Sequence, residues 1–158
     1  MKVELKKFKH YPRLSQETDA FSAELWIDGK KAANASNSGT GGCDELHFSD
    51  RKVEKAFYDY CKSLPPVQSK YGPLEMNSDL FLGQLIEKLI MKKQLENWCK
   101  HSVVYRHKDT EKGSWYKSKM KFTPAVADVI RKRAGVNFDL IVNEDIDKAV
   151  EVVTSMPD

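Results

Sequence analysis

The chain has 158 residues, 41% hydrophobic and 31% charged, with a net charge of +3; this balance excludes a disordered chain and leaves a globular one able to bury a core. The longest apolar run, Leu85 to Met91, is broken by Glu87 and Lys88, which excludes a membrane-spanning helix, and three cysteines at unrelated spacings (Cys43, Cys61, Cys99) exclude a disulfide framework. The opening MKVELKKFKHYPR lacks the apolar centre of a signal peptide, so a cytoplasmic location is expected.

Charge is unevenly placed. Residues 1–13 hold five Lys/Arg against one acid, and residues 101–122 hold six against two, giving +4 each time. Residues 137–158 hold six acids against one Lys, giving −5. Two basic stretches permit an anionic partner.

In chain order, VELKKFKHY reads as a first strand. In AFSAELWIDGKKAANAS, Phe21, Ala23, Leu25 and Ile27 alternate with Ser22, Glu24, Trp26 and Asp28. Asp28-Gly29 is a type I′ turn pair, so 30–36 should return as the paired strand, with Trp26 opposite Lys31 in a cation–π contact. The segment ASNSGTGGCDELHF reads as a loop leaving that hairpin. SDRKVEKAFYDYCKSL predicts a helix capped by Ser49 or Asp50, with Val53, Phe57, Tyr60 and Leu64 in one stripe and Pro65-Pro66 as its stop. VQSKYGPLEM, 67–76, reads as a connector. A long helix follows from Ser78 or Asp79 to Cys99, with Phe81, Leu82, Leu85, Ile86, Leu89, Ile90 and Trp98 as its apolar face.

A second hairpin is expected, with strands at 103–107 and 114–122 around a turn holding Gly113. Thr123-Pro124 is an N-cap followed by a first-turn proline, and Gly135 ends that helix. NFDLIVN predicts a short strand, and a last helix runs from Asp145 to about Thr154. Strands and helices come in runs, so the expected class is α+β: a single domain, 1–158, in which one antiparallel sheet of two hairpins and a C-terminal strand packs on the long helix and two to three shorter ones.

Three features could carry chemistry. The first is the glycine loop with Asn37, Gly39, Thr40, Gly41 and Gly42, read as a ligand-contacting loop. Its spacing fits neither G-x-x-x-x-G-K-[ST] nor G-x-G-x-x-G, but three glycines in four positions mark a close backbone approach. The second is SWYKSKMKF. Strand periodicity puts Trp115, Lys117, Lys119 and Lys121 on one face at ~6.8 Å steps, with Tyr116, Ser118, Met120 and Phe122 on the core face. With Arg106 or His107 from the facing strand, depending on register, that ladder would follow a phosphate backbone while the indole stacks on a base. The third is Cys43 with His47, a nucleophile and base for an enzyme reading, or with Cys99 and His101 a zinc set of unfamiliar spacing.

The segment ETDAFSAELWIDGKKAANASNSGTGG, Glu17 to Gly42, resembles the N-terminal signature of small proteins of bacterial and bacteriophage genomes: an E-T-x-x-F-x-A-x-L-x-x-D-G-K core, then an Asn and a glycine cluster. The resemblance implies context: a phage or mobile-element accessory protein that binds a host macromolecule or sequesters a small ligand. It carries no catalytic residues. The expectation is therefore a non-enzymatic binding protein without cofactor or metal, recognising a host protein or an anionic ligand (a nucleotide or nucleic acid). The alternatives are a nucleic-acid-binding module built on 115–121 and an enzyme centred on Cys43 and His47.

Overall fold

The structure, a computed structural model, describes residues 1–69 and 72–156. It is α+β, with four α-helices and several small antiparallel sheets among the described residues. Its internal contacts divide the chain into two compact units, Met1–Glu87 and Lys88–Asp158.

The first unit is built on a four-stranded antiparallel meander of β1 (Val3–His10), β2 (Phe21–Ile27), β3 (Lys30–Asn37) and β4 (Glu45–Phe48). Phe21, Ala23, Leu25 and Ile27 are buried as their alternation predicts; enclosing Leu25 alone, at 0% exposure, stabilises by about 1.5–3 kcal/mol. Asp28 (φ 48°) and Gly29 (φ 80°) form the left-handed pair that the Asp-Gly turn requires. Trp26 does face Lys31 across the hairpin, yet the cation over its ring is Lys6 of β1, 4.0 Å from the centroid. Lys31 pairs instead with Glu24 at 3.0 Å. A bulge with Lys7 at φ 52° kinks the edge strand β1, which blunts it as a template for further pairing.

The strand β4 corrects the expectation of an unbroken loop after the glycines. E-L-H-F alternates, with Leu46 and Phe48 half-buried and Glu45 and His47 exposed, and that short period is enough to add a strand beside β3. Asp50 caps α1 (Arg51–Ser63) by accepting from the Lys52 amide at 2.7 Å. Phe57 and Cys61 are fully buried, and Phe48, Phe57, Tyr58 and Phe81 form a continuous ring cluster. The expected connector 67–76 contains a small hairpin, β5 (Val67–Ser69) with β6 (Gly72–Leu74); its residues 70 and 71 lie outside the described residues. The long helix is α2 (Ser78–Cys99), with the bounds expected, and Asn77 accepts from the first-turn amide of Leu80.

The second unit has a three-stranded antiparallel sheet of order β8-β7-β9, from β7 (Val104–His107), β8 (Tyr116–Lys117) and β9 (Phe138–Ile141). The two hairpins therefore stand in different sheets, which corrects the expectation of one. Thr123 and Pro124 open α3 (Pro124–Ala134), Gly135 at φ 55° closes it, and Asp145 caps α4 (Ile146–Thr154), as predicted. One apolar cluster joins Leu95, Val104, Val142, Ala149 and Val150, with Trp98 and Trp115 packed on it. Another joins Val103, Ala127 and Ile141 with Tyr105, Phe122, Val126 and Ile130.

The expected strand 114–122 is only two residues long. The Ser118 hydroxyl donates to the Met120 carbonyl at 3.1 Å and accepts from the Met120 amide at 3.2 Å. This local bonding competes with the regular ladder, although the Ser118 amide still donates to the Val103 carbonyl and the Met120 carbonyl accepts from the Val103 amide, both at 2.9 Å, so 118–120 runs on beside Val103 irregularly.

Candidate functional site

The glycine segment is organised by Asn37, whose side chain is buried at 8% exposure. Its Oδ1 accepts from the Gly39 amide and from the Thr18 hydroxyl, both at 2.8 Å, and its Nδ2 donates to Asp44 Oδ1 at 3.0 Å. The Gly39 carbonyl accepts from the amides of Gln16 (2.8 Å) and Glu17 (3.0 Å). Gly39 has φ 85°, and an added β-carbon would run into the Leu14 carbonyl and stand 2.8 Å from the Ala20 β-carbon. The close approach that the glycines announced is thus to the chain's own 14–20 segment. Thr40 bonds Ser38 through their hydroxyls at 3.0 Å, and the Gly41 amide turns to Thr18 Oγ1 at 3.4 Å.

Beside this loop lies a cavity of about 290 Å³ lined by Asp19, Asp44 and Asp79 with Thr18, Asn37 and Cys43. Burial pushes the Asp44 carboxyl above its ordinary range. Three carboxylates repel an anion, and two of the loop's amides are already engaged, so an anionic ligand is not what this loop is shaped for. Cys43 lies against Asp79, which raises the thiol by hydrogen bonding and charge, the opposite of an activated thiolate. His47 stands on the exposed face of β4 with Glu45 at 3.9 Å, so Cys43 and His47 are not assembled as a nucleophile and base. Ser15 and Asp19 both approach Nε2 of His10, at 3.5 and 3.1 Å; a relay needs them on opposite ring nitrogens. Among the described residues no three His, Cys, Asp or Glu side chains gather as metal ligands.

The basic-aromatic set of the second hairpin is dispersed. Trp115 packs against the apolar cluster of Leu95 and Val104, with the Arg106 guanidinium 5.5 Å from its ring centre. Lys117 lies 4.2 Å over Trp98. Tyr116 and Met120, expected inward, are 47% and 58% exposed. Lys119 and Lys121 are exposed beyond the end of β8 and share no strand face with Lys117. Arg106 is the largest correction: at 1% exposure it is an internal clamp. It donates to the Thr110 carbonyl at 2.7 Å, to the Glu111 carbonyl and Asp139 at 3.3 Å, and to the Ser114 carbonyl at 3.5 Å. Because Val104 and Arg106 point inward, the alternate residues Tyr105 and His107 form the outer face of β7.

That outer face borders a second cavity, of about 520 Å³, a size that suits a small organic ligand. One wall is aromatic, made by Tyr105 and His107; Tyr116, outside the lining, stacks on Tyr105 at 5.6 Å and meets the His107 ring edge-on at 4.9 Å. The other wall is α3, through Val126, Val129 and Ile130, with Met120 between. Arg133 lines the cavity from the last turn of α3 and makes no hydrogen bond or ion pair among the described residues. Its neighbour Arg131 is held by Asp128 and Glu144. The His107 Nδ1 is enclosed without a hydrogen-bond partner. Tyr105 and Arg133 went unnoticed in the sequence as site residues. The alternation V-Y-R-H could have exposed Tyr105 and His107 together, had a buried arginine been allowed for.

Among the described residues, no helix is long and apolar enough to cross a membrane. No protein-family model, no curated protein and no solved structure matches the chain.

Proposed function

We propose that the chain is a non-enzymatic binding protein, of the accessory kind that the resemblance of residues 17–42 implies, and that it takes an anionic ligand with an apolar body in the cavity between β7 and α3. The observation that carries this reading is Arg133: a cation with no hydrogen bond or ion pair among the described residues, at the wall of an otherwise aromatic and aliphatic cavity. The apolar walls supply the affinity and the guanidinium selects the charge. The glycine loop serves here as a brace for the 14–20 segment. The nucleic-acid alternative keeps exposed lysines but loses its stacking ring, since Trp115 lies in the apolar cluster.

The test is a titration with anilinonaphthalene sulfonate, an amphiphilic anion whose fluorescence rises in an apolar site. The expected result is saturable binding that falls about tenfold or more in Arg133→Ala, the worth of one charge-assisted contact. Val129→Asp, at a 47% exposed position that folding does not need, should abolish it. Binding unchanged in both variants overturns the proposal.

A further inference from the structure

The same cavity specifies its ligand more closely, and the following rests on the reading just given. We infer that the ligand is an aryl carboxylate, its ring laid against Tyr105 and its carboxylate received jointly by Arg133 and by the Nε2 of His107. Two observations separate this from a generic amphiphilic anion.

The first is the wall itself. Tyr105 and Tyr116 are stacked with an interplanar angle of 22°, and His107 is perpendicular to both, at 86° to Tyr105 and 73° to Tyr116. Tyr105 and His107 line the cavity, and Tyr116 stacks behind Tyr105 without lining it, so the aromatic surface open to a ligand there is that of Tyr105 and His107. A planar ligand adds the next member in offset-stacked or edge-to-face geometry, a contact that favours it over an alkyl chain of equal area by about two- to tenfold. The facing residues on α3 are aliphatic and close the other side of the ring.

The second is the pair of polar groups. With Nδ1 shut away, Nε2 is the imidazole nitrogen left to meet a ligand, and His107 lines the cavity that Arg133 lines. A hydrogen on Nε2 spares the enclosed Nδ1 an orphaned N–H, so Nε2 is the donor. A carboxylate has two acceptor oxygens and matches a guanidinium plus one N–H; a quaternary ammonium or a neutral arene does not.

Calorimetric titration of the full chain with naphthoate, decanoate and the uncharged naphthalene carboxamide tests the assignment. Naphthoate is expected to bind about two- to tenfold more tightly than decanoate and at least tenfold more tightly than the carboxamide. Tyr105→Leu should erase the preference over decanoate while leaving decanoate itself unchanged. His107→Phe, which keeps a ring and removes both nitrogens, should weaken both acids about equally. Arg133→Lys keeps the charge but loses the fork and should fall between wild type and Arg133→Ala. Decanoate binding as tightly as naphthoate, with dependence on Arg133, overturns the aryl assignment and leaves the anionic reading standing. If neither acid binds in a way that depends on Arg133, the anionic reading itself fails.

Discussion

Replacing Arg106 by alanine distinguishes an internal clamp from a surface contact. The guanidinium is 1% exposed and its single charged partner among the described residues, Asp139, is 29% exposed. Its shortest bond, 2.7 Å to the Thr110 carbonyl, is charge-assisted and is worth about 1.5–3 kcal/mol. The bonds at 3.3–3.5 Å to Asp139 and to the Glu111 and Ser114 carbonyls add less each, but truncation strands all of them. Removing one partner of a buried ion pair costs about 3–5 kcal/mol. Since Asp139 retains access to water, the lower end applies, and Arg106→Ala should destabilise the second unit by about 3 kcal/mol. Trp98 and Trp115 both lie in that unit and report its unfolding in urea through their fluorescence. The midpoint should fall by about 1–3 M, taking about 1–3 kcal/mol per molar for the slope. Arg106→Met, which restores bulk without donors, should recover only a part. If either variant unfolds within about 0.5 kcal/mol of wild type, the clamp is refuted and Arg106 returns to the list of contact residues.

Two further outcomes follow from the first unit. Gly39→Ala combines φ 85° with a collision against Leu14 and Ala20, and should cost about 2–4 kcal/mol, whereas Gly42→Ala, at φ 97° with open space around its β-carbon, should cost about 1–2 kcal/mol; equal midpoints for the two in chemical denaturation contradict the brace. Lys7, then Lys31 and the Trp26 indole N–H, hold the Glu24 carboxyl well below its ordinary 4.5, at about 2. A depressed carboxyl stabilises above its unfolded value and loses that contribution as pH falls, so wild type should lose stability from about pH 4.5 down to about 2 through this group. Glu24→Gln should lack that part of the acid limb, and parallel pH–stability curves for the two proteins count against the ion-pair cluster.

Much of the local structure was legible in the residues alone. Period-two alternation with Asp28-Gly29 fixed the first hairpin, because a left-handed two-residue turn and a buried face leave one register. Caps and breakers fixed the helices: Thr123-Pro124, Gly135 and Asp145 act within a few residues, and such short-range chemistry needs no partner from elsewhere. The three-glycine cluster correctly announced a close approach, without saying to what.

Tertiary structure decided which side of a strand faces the core. In SWYKSKMKF both alternating sets contain aromatic or aliphatic atoms, so periodicity could not choose, and Ser118 ended the strand before a lysine ladder could form. Arg106 is charged and was read outward; three carbonyls and a carboxylate brought in from 110–114 and 139 make its burial favourable, and these partners are distant in sequence or hidden in a turn. Turning Arg106 inward puts Tyr105 and His107 on the outer face, opposite α3, and the cavity with Arg133 follows from that. Local signals name the elements, while a cavity depends on which long-range partners satisfy the polar groups behind its walls.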